Sequence, residues 1–225
     1  MIRFDPSLTI MFFFSNKPKV DFQEFCRGFY ESAIFPKAVG QTDMHSTFCE
    51  TVRKNLGDQA FMGIQPSLFE SELRALRLEV FGIAWLHHVD ERLAASQSAF
   101  TQSFLREINA ADLWEALGEY NQATARSASS KLSNSARANL DLKRVEFFDV
   151  WTAHGVDSDA VARAANRLGS AKSWKENLTH VTLSFTLTKR LGIEINDEAR
   201  GNVLALIQGF YNGAKEEIKK VRISG

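Results

Sequence analysis

The spacing of apolar residues predicts a protein built almost entirely from α-helices. From residue 67 onward, apolar side chains recur every three or four positions, as expected for helices with one buried face. The clearest stripe comprises Phe69, Leu73, Leu76, Val80 and Ile83. A similar stripe runs from Val203 to Val221 near the end of the chain. We therefore predict one long helix over 67–95 and another that begins at Asn196.

Capping signals divide the chain into about seven to eight helices. Two capping boxes, Asp21 with Glu24 and Ser67 with Glu70, mark helix starts, and the first of these helices should run to about Ala33. Other starts are predicted at Asp43, Ser98, Asp112, Ser135, Ser158 and Asn196. Helix ends are predicted at Gly57, Gly155, Gly169 and Gly192. These elements indicate an all-α fold, a single multi-helix bundle.

Residues 178–189 carry the patterns of both a strand and a helix. Apolar and hydroxyl side chains alternate there as in a strand, with apolar residues at Val181, Leu183, Phe185 and Leu187. A helix is favoured because a capping box, Ser173 with Glu176, precedes the segment and Gly192 follows it. A lone strand would also lack a clear pairing partner.

The first 66 residues differ in composition from the rest of the chain. They contain all four prolines, and 13 of the 18 phenylalanines lie within the first hundred residues. We expect residues 1–66 to form an irregular, aromatic-rich segment that covers a long-helix body at 67–225, within one domain. Residues 1–15 fit either a helix or an extended segment.

Composition excludes several classes of protein. The 225 residues carry 27 basic and 27 acidic side chains, so no net charge draws the chain toward nucleic acid or anionic lipid. The apolar run 8–14 is too short to span a membrane. Cys26 and Cys49 lack metal-ligand or redox spacing, and we predict two buried, reduced thiols, with a disulfide as the alternative. A cytoplasmic location follows as the expectation.

Charge is balanced overall but segregated locally. Residues 67–120 carry nine acids and four bases, whereas residues 121–190 carry eleven bases and six acids. The favoured interpretation is that helices with complementary surfaces pack against each other within the chain. The alternative is charge-guided self-association into a homo-oligomer.

Glu79 is the residue that most suggests a functional site. It is the one charged residue in the apolar run 78–86, and its spacing from Leu76 and Ile83 places it toward the core. A buried carboxylate needs a partner, or its pKa rises. Such a group could bind a ligand or a metal ion or act as an acid or base. The structural alternative is an internal salt bridge or a carboxylate at a helix crossing.

Three further residues are candidates for ligand binding. Trp85 and Trp151 lie on different predicted helices, as do Trp114 and Trp174, and the four could line an apolar pocket or simply fill the core. His87 lies two turns beyond Glu79 on the same predicted face. Because eight residues rise about 12 Å, Glu79 and His87 cannot easily share one metal ion. A surface pair of His87 with Glu91 is the simpler explanation.

The remaining motifs favour binding over catalysis. We find no phosphate loop, nucleophile elbow or zinc helix, no histidine beside either cysteine, and no Glu-x-x-His pattern of a ferritin-like metal bundle. We therefore predict no metal site and no cofactor. The leading hypothesis is a non-catalytic helical protein that binds a partner protein or a small apolar ligand. The alternatives are a metal-dependent or acid-base enzyme centred on Glu79 and, third, a DNA-binding regulator that uses segment 158–180.

Overall fold

The computed structural model describes residues 17–36, 44–129 and 171–225, and this part of the chain is an all-α bundle, as predicted. Eight α-helices lie within these residues: α1 (Phe22–Phe29), α2 (Met44–Asn55), α3 (Gln59–Met62), α4 (Pro66–His88), α5 (Glu91–Glu107), α6 (Leu113–Ser129), α7 (Ala171–Leu191) and α8 (Asp197–Lys220). None of these helices is long and apolar enough to cross a bilayer.

Helix α1 begins where the sequence predicts, because the Asp21 side chain accepts hydrogen bonds from the backbone N–H groups of Gln23 and Glu24. The helix continues into a π-helical turn (Tyr30–Ile34), in which the Phe35 N–H donates to the Tyr30 carbonyl at 2.7 Å. The wider turn holds the Tyr30 ring fully buried against α4 and α5.

Helix α4 corrects two predictions. Pro66 occupies its first turn and no side chain caps it, so the predicted Ser67–Glu70 capping box does not form. Instead, Glu70 accepts a hydrogen bond from the Ser46 hydroxyl of α2 at 2.7 Å. The helix also ends at His88 rather than near residue 95, because the backbone turns extended at Val89, and α5 begins at Glu91 rather than Ser98.

The turn between α4 and α5 has a packing reason. It folds α5 back so that Phe104 and Leu105 cover the apolar face of α4 that carries Phe81 and Trp85. The Trp85 indole N–H donates to the Leu93 carbonyl at 3.3 Å, which links the two helices directly. A helix that ran straight on to residue 95 would leave this face exposed to water.

Residues 178–189 are helical throughout, as favoured from the sequence, and belong to α7. The hydroxyls of Ser184, Thr186 and Thr188 donate to backbone carbonyls three or four residues earlier in the helix; Thr186, for example, donates to the carbonyl of Thr182 at 3.0 Å. Gly192 follows the helix at a φ of 66°, and Asn196 caps α8 by accepting from the Ala199 N–H. Both of these boundaries agree with the sequence prediction.

Two short strands join the two ends of the described chain. Strand β1 (Lys19–Asp21) pairs in parallel with β2 (Arg222–Ser224), with Val20 opposite Ile223. The sequence analysis predicted neither strand. The pairing fixes the start of α1 beside the end of α8.

The buried residues form two clusters that share α4. One cluster packs α4 against α2, α3, α6, α7 and α8, and includes Leu73, Leu76 and Ile207. The other packs it against α1, α5 and the ends of α6 and α8, and includes Trp85 and Phe104. Both cysteines are buried thiols, as predicted. Helix α4 is therefore the central element of the described fold.

Several predictions fall on residues that the structure does not describe. They concern residues 1–15, the helix starts at Ser135 and Ser158, the helix ends at Gly155 and Gly169, and Trp151. The DNA-binding hypothesis also depends mainly on this part of the chain, since residues 158–170 of its segment lie there.

Candidate functional site

The Glu79 groove is an open cavity of about 270 Å³ between α4, α5 and α6. Its apolar lining comprises Leu78, Ile83, Leu86, Trp114 and Leu117. Its polar lining comprises Glu79, Gln97, Ser98, Thr101 and Asn121. Gly82, one turn after Glu79 on α4, adds no side chain and leaves the space between the helices open.

The groove combines an apolar rim with a buried carboxyl group. Leu86 and Trp114 are 60% and 36% exposed, although both are large apolar side chains. Glu79 is only 5% exposed, as its position in the apolar stripe predicts. A ligand that covered the rim would remove apolar surface from water and would meet the carboxyl group beneath it.

Burial raises the pKa of Glu79 to about 7. Loss of hydration is the main cause, and the neighbouring Thr124 hydroxyl on α6 opposes the rise in part. No cation of the described residues forms an ion pair with Glu79. The carboxyl group can therefore change its protonation state near neutral pH.

Gln97 presents an acceptor toward the same space. The Thr101 hydroxyl donates to the backbone carbonyl of Gln97 at 2.9 Å. Because its one proton is used there, the Thr101 oxygen accepts the proton of the Tyr30 hydroxyl, at 2.7 Å. The Gln97 side-chain amide nitrogen then donates to both hydroxyl oxygens, at 2.7 Å and 3.0 Å. Because the amide nitrogen faces the two hydroxyls, Oε1 of Gln97 points away from them. This oxygen lies 3.9 Å from the position that a Cβ would take if Gly82 carried a side chain.

Glu72, two turns before Glu79 on α4, shows what a fully paired buried carboxylate looks like in this fold. The Arg190 guanidinium of α7 donates to both of its oxygens at 2.8–3.0 Å, and the Tyr120 hydroxyl of α6 donates at 3.0 Å. The Glu72–Arg190 ion pair joins the acidic block 67–120 to the basic block 121–190 within one chain. This agrees with the interpretation that helices with complementary charges pack against each other.

The structure separates the other candidate residues from Glu79. Trp85 is fully buried in the core beside Phe81 and Phe25 and does not line the groove. His87 is exposed and contacts the Tyr211 hydroxyl of α8 at 3.0 Å, away from the groove. Glu79 and His87, which the sequence analysis placed on one face of the helix, contact different neighbours: Glu79 lines the groove with residues of α5 and α6, whereas His87 contacts α8.

Of the four tryptophans, only Trp85 and Trp114 have described side chains, and these two do not line one pocket. Trp114 lines the Glu79 groove, whereas Trp85 does not. The predicted surface pair of His87 with Glu91 is also altered, because α4 ends before Glu91 and His87 contacts α8 instead. Among the described tryptophan side chains, Trp114 is the one that lines the groove, although Trp85 and Trp151 were the tryptophans predicted from the sequence as ligand-binding candidates.

A buried histidine–cysteine contact corrects the expectation that neither cysteine has a histidine neighbour. On α2, Sγ of Cys49 lies 3.3 Å from Nε2 of His45, and the Arg74 Nε–H donates to the same nitrogen at 3.0 Å. The spacing of four residues is visible in the sequence, and we missed it. Both side chains are at most 2% exposed, so a substrate could not reach the thiol without an opening of the fold.

Three histidine side chains, His87 and His88 of α4 and His180 of α7, lie around Tyr211 of α8. His87 and His88 both contact the Tyr211 hydroxyl, and the His180 ring lies 5.3 Å from the Tyr211 ring. Burial and the nearby His87 lower the pKa of His180 to about 4, so this ring is neutral at neutral pH. Among residues 17–36, 44–129 and 171–225, no group of three or more His, Cys, Asp or Glu side chains is arranged to hold a metal ion.

Fold and site together define an all-α bundle with an apolar groove around one buried carboxyl group. Comparisons of the chain with protein families, curated proteins and solved structures return no match. Function therefore has to be argued from the groove itself.

Proposed function

We propose that this protein binds a small, largely apolar molecule that carries one polar group, and that the Glu79 groove is the binding site. The observation that carries the proposal is the buried carboxyl group of Glu79 in a groove that is also lined by the exposed Leu86 and Trp114 side chains. Apolar pockets with a few convergent polar groups are the usual form of small-molecule sites. A volume of about 270 Å³ suits an occupant smaller than a typical drug.

The groove supports a small ligand better than a protein partner. A flat protein surface would cover Leu86 and Trp114 at the rim but would not reach a carboxyl group that is 5% exposed. A small molecule can place its polar group there and its apolar body against the rim. A partner protein, self-association and a cytoplasmic location stay predictions from the sequence.

An acid-base enzyme is the second candidate, supported by the pKa of about 7 at Glu79. A carboxyl group with this pKa can take up or release a proton near neutral pH, as a general acid or base does. Binding is favoured because Glu79 is the one ionisable side chain among the described residues that line the groove, so none of these residues supplies a second acid or base. An enzyme would convert its bound ligand, whereas a binding protein would return it unchanged.

The test uses 2-phenylethanol as a neutral probe with an apolar ring and one hydroxyl group. The indole N–H signal of Trp114 in a ¹H–¹⁵N NMR titration should shift and saturate. Gly82→Leu should abolish the response, because Gly82 lines the groove and a larger side chain would occupy it. Gly213→Leu is the matched control, since Gly213 is an exposed glycine in α8 with nothing within 4 Å of an added Cβ.

The expected result is saturable binding in the wild type and in Gly213→Leu, and none in Gly82→Leu. No saturable shift in the wild type up to the solubility limit of the probe would contradict the proposal. Equal binding to the wild type and to Gly82→Leu would place the site elsewhere and would contradict it as well.

A further inference from the structure

The Glu79 groove contains a carboxylate whose negative charge is not neutralised by any cation of the described residues. At neutral pH part of the Glu79 population is ionised, and none of the described residues that line the groove is an arginine, lysine or histidine. The same helix shows the contrasting case, because the Glu72 carboxylate has the Arg190 guanidinium against both of its oxygens. A buried carboxylate without such a partner is costly, and a cation that enters the site would remove much of that cost.

The orientation of Gln97 adds a second acceptor. Its amide nitrogen is committed to the Tyr30 and Thr101 hydroxyls, so Oε1 is the atom left toward Gly82 and the groove. The ionised Glu79 carboxylate and this amide oxygen are therefore both hydrogen-bond acceptors. An ammonium group carries three donors and no acceptor, which matches this arrangement.

We propose that the ligand of the Glu79 groove is an organic amine, whose ammonium group pairs with Glu79 and Gln97 and whose apolar body covers Leu86 and Trp114. This inference rests on the proposed function, since it names the chemical class of the molecule bound at the same site.

The charge state of Glu79 makes the inference testable by pH. Around Glu79, α5 contributes Gln97, Ser98 and Thr101, and α6 contributes Trp114, Asn121 and Thr124. None of these side chains titrates near neutral pH, so among the described residues of the groove Glu79 sets the dependence. A bound ammonium group stabilises the ionised carboxylate and lowers its pKa, so binding of an amine should strengthen as pH rises from 6 to 8.

The experiment compares 2-phenylethylamine with 2-phenylethanol, two probes of similar size that differ in the polar group. Affinities are measured by the same NMR titration at pH 6 and pH 8, for the wild type, Glu79→Gln and Glu194→Gln. Glu194→Gln is the control because Glu194 is exposed in the turn between α7 and α8. We expect the wild type and the control to bind the amine about tenfold more tightly than the alcohol at pH 8, as a charge-assisted hydrogen bond allows.

Glu79→Gln distinguishes a failure of the amine inference from a failure of the proposed function. Glu79→Gln should bind both probes with similar affinity, because the groove remains but its charge is gone. If the alcohol binds and the amine binds no more tightly, the amine inference is wrong and the proposed function stands. If the amine preference persists in Glu79→Gln, another group recognises the cation, and the inference is wrong. If neither probe binds the wild type, both proposals fail.

Discussion

Replacing Glu79 by glutamine should stabilise this protein above neutral pH. The folded pKa of Glu79 is about 7, raised by burial from the ordinary value of 4.5. The folded state therefore holds a proton on this group between pH 4.5 and pH 7 that the unfolded chain has lost. Stability falls as pH rises through this window, because the unfolded chain gains from ionising its carboxyl group while burial keeps the folded group protonated. Glutamine has nearly the same shape and no charge to bury.

The size of the effect follows from the two pKa values. Each pKa unit between the folded and unfolded states corresponds to about 1.4 kcal/mol. The difference between about 7 and 4.5 thus destabilises the fully ionised protein by about 3 kcal/mol. Part of this effect is already present at pH 5, so the wild type should lose about 2–3 kcal/mol relative to Glu79→Gln between pH 5 and pH 8.

Urea unfolding followed by circular dichroism at several pH values measures this difference. Subtracting the free energy of unfolding of the wild type from that of Glu79→Gln at each pH cancels the titration of the other side chains. Glu194→Gln should show no comparable change, since its side chain is exposed. A constant difference between Glu79→Gln and the wild type from pH 5 to pH 8 would refute the reasoning that burial governs this carboxyl group.

Three further predictions concern stability. Arg190→Met should lower the free energy of unfolding, measured in urea, by about 2–3 kcal/mol, because it leaves the buried Glu72 carboxylate without its cation. A loss below about 1 kcal/mol would contradict this prediction. Gly192→Ala should cost about 1 kcal/mol in a thermal melt, since a φ of 66° disfavours residues with a Cβ; an unchanged melting temperature would argue against it. Asn196→Ala should cost about 1 kcal/mol and speed hydrogen exchange at the Ala199 amide, whose acceptor it removes; unaltered exchange would speak against the cap.

The helices could be predicted because their signals are local. Asp21, Gly192 and Asn196 act on backbone groups within three or four residues of themselves, so the residue types were enough to place those boundaries. The prediction failed between α4 and α5, where an apolar pattern continued past His88 but the chain turned at Val89. That turn serves the packing of α5 on α4, which a local pattern does not record.

The candidate site divides in the same way. The position of Glu79 in an apolar stripe was enough to predict that its carboxyl group is buried. The sequence did not pair it with Gln97 and Trp114, because these residues lie 18 and 35 positions further along the chain, on α5 and α6. Trp85 and His87 looked equally suitable by their proximity in sequence, yet they lie in the core and against α8.

By itself, the sequence determined the all-α class, several helix boundaries of the described chain and the burial of Glu79, since each depends on periodicity or on a contact within one helical turn. Only the tertiary structure decided that Glu72 meets Arg190 whereas Glu79 meets no cation among the described residues. The two glutamates lie seven residues apart, on turns of α4 that meet different neighbours. Which side chains a neighbouring helix brings to a carboxylate is set by packing across the bundle, and this decides whether the carboxylate is already paired or open to a ligand.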